Sequence, residues 1–354
     1  MGSFLPPSHE QQTFYGLFVL IAAIVLITLV VRWLSRKRQR LSRFPFPHSF
    51  PHAFEWLARA LGSLWLLDGF LQAQPSMITR FIGGVLAPLI SGQPWPLNII
   101  IKWSMTLWSL NPVLWNEFAT WIQIGIGLTI LLGGHSKYRR LGLWISVFWG
   151  LAVWIGGEAV GGIFVGGSVL EGAPGSVLLY VLAAIFLLAP EQFWQSPRPI
   201  KMLQRFMASL WFFVALLQAL PSSGWWNREG LSSYILSMAE MPQPHIFSLP
   251  LYAWAHSLGQ HPLLWNTALV LTFFLLGFLW TFAPRSPFTW WLSLTVTFST
   301  WWFGQDFGVL GGMGTDPNSG AIMLVALITY AQLLKFPLWH RIVERDTHVT
   351  KSAG

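Results

Sequence analysis

The sequence predicts an all-α polytopic membrane fold: one anchor helix and two parallel tandem four-helix bundles, nine transmembrane helices in all. Composition is the first observation behind this. Hydrophobic residues make up 54% of the chain and charged residues 10%, with mean hydropathy +0.53, too much apolar surface for a water-soluble fold. The second is a series of apolar stretches near the ~20 residues that cross a bilayer, at 14–34, 56–73, 112–133, 142–159, 174–190, 203–220, 263–283, 288–306 and 320–337. The third is a duplication. Ser63-Leu64-Trp65 and Leu71-Gln72-Ala73 recur 146 residues later as Ser209-Leu210-Trp211 and Leu217-Gln218-Ala219. Pro112-Val113-Leu114-Trp115-Asn116 recurs 150 residues later as Pro262-Leu263-Leu264-Trp265-Asn266. A repeat of this length implies two packed supersecondary units, with a shared site within or between them.

Residues 1–50 read as an anchor helix and a basic linker. The start carries no Lys or Arg, the apolar run from Phe14 to Val31 is long, and the basic cluster follows it, so the segment reads as retained and not as a cleaved signal. Residues 51–197 and 198–340 form the two four-helix repeats, and 341–354 a tail. Of 21 Lys and Arg, only Arg80, Lys102 and Arg228 fall on one side of this topology, which leaves 18 on the other. The positive-inside rule places the amino terminus outside and the tail in the cytoplasm. The net charge of +8 follows from this distribution, and no folded basic domain exists for nucleic acid. Four crossings per repeat make the repeats parallel. Residues 74–111 and 221–262 are then outer connections, read as short interfacial helices that lid the bundles.

Buried carboxylates are costly in hydrocarbon, which singles out Asp68, Glu117, Glu158 and Asp306. Asp68 and Glu117 align with Val214 and Thr267, so the second repeat lacks them. Aligning Trp154-Ile155-Gly156-Gly157-Glu158 with Trp302-Phe303-Gly304-Gln305-Asp306 makes Glu158/Asp306 the shared carboxylate. Asp68, Glu117 and Glu158 are expected to converge under the first lid, with Gln72, Gln74 and Trp154 nearby and Trp302 in the second copy. The alternative is that the carboxylates cap helices or bind the N–H groups of adjacent glycine loops. Those loops, Gly156-Gly157, Gly161-Gly162 and Gly166-Gly167, and Gly304 to Gly314 in the second copy, predict irregular backbone after each third helix. Tryptophan numbers 23, as an aromatic belt or as the wall of a flat hydrophobic ligand.

Zero cysteines exclude disulfides and thiolate metal sites. No histidine sits mid-span, which argues against haem. Met238, Met241 and His245 form a weak copper-type spacing. No nucleophile–base or phosphate-loop spacing appears.

The segment Arg59-Ala60-Leu61-Gly62-Ser63-Leu64-Trp65-Leu66-Leu67-Asp68-Gly69-Phe70, closed by a Gly-rich turn, resembles the DoxX-like superfamily of bacterial membrane proteins, over about 80% of the chain. That superfamily includes the DoxD subunit of thiosulfate:quinone oxidoreductase. The resemblance implies a four-helix bundle in the bacterial cytoplasmic membrane and a link to quinone or envelope redox chemistry; it transfers no catalytic residue. The functional expectation is a binding or accessory subunit for a quinone-like or lipid-like molecule near the outer face, among membrane lipids and other redox subunits. A small-solute or cation transporter and a ligand-free scaffold are the alternatives.

Overall fold

A computed structural model describes residues 8–39, 51–312 and 314–335. The expected basic linker 40–50 and tail 341–354 lie outside the described residues, as do Arg40, Arg43, Arg341, Arg345 and Lys351. All regular structure among the described residues is helical. The order is α1 (His9–Gln39), α2 (His52–Gln72), α3 (Pro75–Arg80), α4 (Trp95–Leu110), α5 (Pro112–Leu132), α6 (Lys137–Gly156), α7 (Ser176–Leu188), α8 (Glu191–Trp194), α9 (Arg198–Ala219), α10 (Gly230–Ala239), α11 (His245–Gln260), α12 (Pro262–Phe282), α13 (Pro287–Phe303) and α14 (Asn318–Leu333).

Proline or a polar cap sets many of the starts. Asn111 accepts the Leu114 N–H at 3.0 Å ahead of Pro112, and Ser136 accepts the Tyr138 N–H at 3.2 Å. Among the described residues, three helices are long and apolar enough to cross a membrane: α1 over His9–Val30, α9 and α12. A fourth is added if α6 and the following turn Ala159–Val165, bent by 42°, form one span. The four-per-repeat reading is therefore met by composition only in part. α5 carries Asn116, Glu117, Thr120 and Gln123, all buried, so its polar side chains face protein. α7, at 13 residues, rises only about 20 Å against a ~30 Å hydrocarbon core. Irregular glycine-rich backbone precedes it.

The repeats recur in space. α2 pairs with α5 as α9 pairs with α12, and α6 with α7 as α13 with α14. The first pair approaches closely at Gly62 and Gly127: a methyl group on Gly127 would stand 2.7 Å from the Gly62 carbonyl oxygen. In both copies a glutamine and an asparagine clasp the pair. Gln72 Nε2 donates to Asn116 Oδ1 at 2.6 Å and Asn116 Nδ2 returns to the Gln72 carbonyl at 3.1 Å. Gln218 and Asn266 repeat this at 2.7 and 3.4 Å.

A single hydrophobic cluster joins the repeats, from Trp65 and Tyr180 to Trp211, Trp280 and Tyr330. At the end covered by α3, α4, α10 and α11, here called the lid end, the first glycine loop stitches them together. Trp225 Nε1 donates to the Gly166 carbonyl at 2.8 Å and Gln305 Nε2 to the Val169 carbonyl at 2.6 Å; Ser168 bonds Gln218. α1 packs on α5 and α3, with Tyr15 Oη donating to the Ala73 carbonyl at 2.9 Å. Its other face exposes Val19, Leu20, Ile24, Leu26 and Ile27, an apolar stripe that water would penalise.

Candidate functional site

At the lid end of the first repeat, α2, α4, α5, α6 and the start of α7 enclose a cavity of about 220 Å³. Its walls are aromatic, with Trp65, Phe81, Trp108, Trp115, Phe118 and Trp149, and its polar groups are few: Asp68, Gln72, Gln123, Glu158 and Asp316 among them. Among the described residues, no Lys, Arg or His lines it.

Asp68 sits one turn before the end of α2 and is 2% exposed. Its Oδ1 accepts from Tyr180 Oη at 3.5 Å, the limit of a hydrogen bond, and its Oδ2 has no partner. Glu158 follows the last turn of α6. Its Oε1 accepts from Ser176 Oγ at 2.6 Å and from the Val177 N–H at 3.3 Å, while Oε2 is buried and unpartnered. Asp316 arrives from the second repeat, in the turn before α14. Its Oδ1 accepts the Asn318 N–H at 2.7 Å and its Oδ2 the Thr315 hydroxyl at 3.0 Å. Burial pushes the Asp316 carboxyl above the usual carboxylate range. Asp68, Glu158 and Asp316 all line this one cavity. Three further polar groups on the wall lack a partner: the indole N–H of Trp108, that of Trp149, and Gln123 Oε1. Buried polar groups without partners are costly, and a ligand or water that pairs with them recovers that cost.

The other expected residues are spread more widely. Glu117 does not join Asp68 and Glu158: it faces α1, beside the Phe18–Trp121 ring contact, and accepts from Trp121 Nε1 at 2.7 Å. Gln74 lies in the turn between α2 and α3, off the cavity wall. Trp154 pins the glycine loop by donating to the Pro174 carbonyl at 2.8 Å. Trp302 packs among Phe247, Phe298, Phe303 and Phe307. Met238 is partly buried against the α10–α11 core, Met241 approaches Gly311, and His245 is exposed at the start of α11. Among the described residues no group of three or more His, Asp or Glu is placed to hold a metal.

The structure also corrects the pairing of Glu158 with Asp306. In the second repeat, Trp301 and not Trp302 donates to the proline carbonyl, that of Pro317, at 2.6 Å. Gln305 takes the place of Glu158, touching Ser319 Oγ at 3.1 Å and accepting the Gly320 N–H at 3.0 Å. Asp306 instead matches Ala159, both with left-handed φ, 45° and 49°. Its carboxylate bonds Gln243 Nε2 at 3.2 Å and lies outside the cavity. One residue of register separates the two alignments, and the flanking glycines mask it. The second copy has therefore lost this chemistry at three places: Val214 for Asp68, Gln305 for Glu158, and buried Phe273, stacked on Trp211, for Gln123.

Sequence reasoning missed Asp316, read only as turn chemistry. Its signal was the mismatch of Ala173-Pro174-Gly175-Ser176 with Asp316-Pro317-Asn318-Ser319, a carboxylate gained by the second copy. No family model, curated protein or solved structure matches this chain.

Proposed function

We propose that the chain is a membrane protein of the DoxX-like kind with nine membrane-spanning helices, amino terminus outside, whose first repeat binds a flat, hydrophobic, hydrogen-bonding molecule of quinone type. The second repeat acts as its scaffold. One observation carries this reading. The aromatic cavity presents two unpartnered indole donors, Trp108 and Trp149, together with unpartnered oxygens on Asp68, Glu158 and Gln123. A quinone ring would stack on the aromatic wall, accept from the indoles and meet carboxyl groups able to supply protons. At about 220 Å³ the cavity is smaller than the ~300–1,000 Å³ of drug-sized sites, which suits a ring head group with its tail between helices. With no cysteine in the chain, any thiolate-held redox centre belongs to a partner subunit.

The test is mild purification with mass spectrometry of co-purifying small molecules, followed by titration of delipidated protein with a short-tailed quinone, read by tryptophan quenching. Trp149→Phe removes one donor and is expected to weaken binding about tenfold, the scale of one hydrogen bond. The reading is overturned if no quinone or lipid co-purifies and no saturable quenching is seen. Transport of a small cation is the second reading, favoured by three carboxylates on a wall without a basic side chain. Uptake into proteoliposomes that is lost in Asp68→Asn would establish it instead.

A further inference from the structure

A second cavity of about 340 Å³ lies beyond the first, under the turn that leads into α4. Its walls include Gly161, Gly162, Gly172 and Gly175, with Gln93, Asn318 and Glu171 among its polar groups. Three residues belong to both cavities: Gly157, Glu158 and Asp316. The two carboxylates thus stand at the partition between a glycine-walled vestibule and the aromatic cavity.

We propose that the vestibule is a proton port, and that Asp316 and Glu158 relay protons from the lid end to Asp68; this rests on the reading of the inner cavity as a ligand site that exchanges protons. Ser176 is the first link. Its hydroxyl donates to Glu158 Oε1 at 2.6 Å and also lies in hydrogen-bonding reach of Asp316. One hydroxyl proton serves one carboxylate at a time, so in the proposed transfer a protonated Asp316 donates to the Ser176 oxygen as the seryl proton passes to Glu158. The seryl group can then pass one proton on as it accepts another, with no net change in itself. Tyr180 is one turn further along α7, on the same face as Ser176, with its hydroxyl on Asp68. Asp68, 2% exposed and with Oδ2 unpartnered, lines the same inner cavity as Glu158 and receives the proton through water in that cavity.

Among the described residues, every charged or titratable group lining the two cavities is a carboxylate, Asp68, Glu158, Asp316 and Glu171, with the Tyr180 hydroxyl bonded to Asp68 from outside the lining. Among the described residues these carboxylates are not grouped so as to hold a metal ion. Each step moves one proton, from hydronium in the vestibule to Asp316, through Ser176 to Glu158, and through water of the inner cavity to Asp68. No electron or co-reactant is required.

The experiment uses the full chain in lipid nanodiscs, a rapid pH jump, and infrared detection of carboxyl bands, without quinone. The Asp68 band is assigned by its loss in Asp68→Asn. In Glu158→Gln its response is expected to slow about a hundredfold, the scale a positioned proton carrier contributes. Asp316→Asn should slow it similarly, and the double variant no further, because the groups act in series. Glu158→Asp should restore much of the rate. Misfolding is controlled by the molecule itself, since Gln305 holds the same serine and backbone contacts in the second repeat. An Asp68 band that responds at the unmodified rate in Glu158→Gln/Asp316→Asn, or no titrating Asp68 band, overturns the port. Quinone binding is measured separately, so a failed port with intact binding, or the reverse, is distinguishable.

Discussion

Gly161 shows how narrowly the glycine loop is determined at the scale of one residue. Its φ is +63°, and a methyl group would stand 2.0 Å from the Pro174 carbonyl oxygen. Both the left-handed backbone and the contact require hydrogen there. Gly161→Ala is expected to cost more than about 1 kcal/mol, the strain alone accounting for that, and to lower the melting temperature in detergent. Gly83→Ala meets nothing within 4 Å and should stay within about 0.5 kcal/mol. Equal effects at the two positions would show that the loop does not hold its observed path. Asp316 yields a pH prediction. Burial raises its carboxyl from an ordinary 3.8, so the folded state holds a proton that the unfolded chain releases. Stability from this group is present below 3.8 and declines as pH rises from there through the elevated folded value. Melting curves across that window should slope downward, and Asp316→Asn should flatten them; an unchanged slope contradicts the assignment.

Among elements, the paired clasps Gln72–Asn116 and Gln218–Asn266 are the strongest structural expression of the duplication. Each closes the lid end of an antiparallel helix pair with a side-chain amide that both donates and accepts. Asn116→Leu leaves the Gln72 amide N–H and its backbone carbonyl buried without partners, at a cost of about 1–3 kcal/mol. Asn266→Leu should cost a similar amount, read by thermal unfolding in detergent. Only the first, which adjoins the cavity, should also weaken ligand binding. A binding loss of equal size at Asn266 would contradict the functional asymmetry of the repeats.

On the scale of the whole molecule, the absence of native cysteine makes topology directly measurable. Lys137 and Arg228 are both exposed, at the far end of α6 and in the lid region respectively. Single cysteines at these positions, challenged with an impermeant maleimide in sealed cells, should label from opposite sides, Arg228→Cys from outside. Labelling of both from one side would refute the topology. At the end away from the lid, Arg139 is tied to Glu55 by two bonds of 2.8 and 3.2 Å, and is buried. Part of the basic charge that signals orientation therefore also locks α6 to α2.

Class, duplication and helix positions were legible because they are one-dimensional. Apolar runs and recurring words such as Ser-Leu-Trp survive in the sequence whatever the packing. The orientation of buried faces was not legible in the same way. α5 is apolar around most of its circumference, so nothing local told that Gln123 meets the cavity while Glu117 meets α1. The one-residue register after α6 and α13 was hidden because glycine loops carry no hydrophobic period to anchor an alignment. Asp316 became part of the site only through folding: packing of the two repeats brings a turn from the second against the loop of the first. The sequence by itself determined that polar groups had to be sheltered in the first repeat, since their burial cost admits no other placement. Tertiary structure decided which of them share a cavity, because that depends on helix rotation and on contacts between residues ~150 apart, which no local pattern encodes.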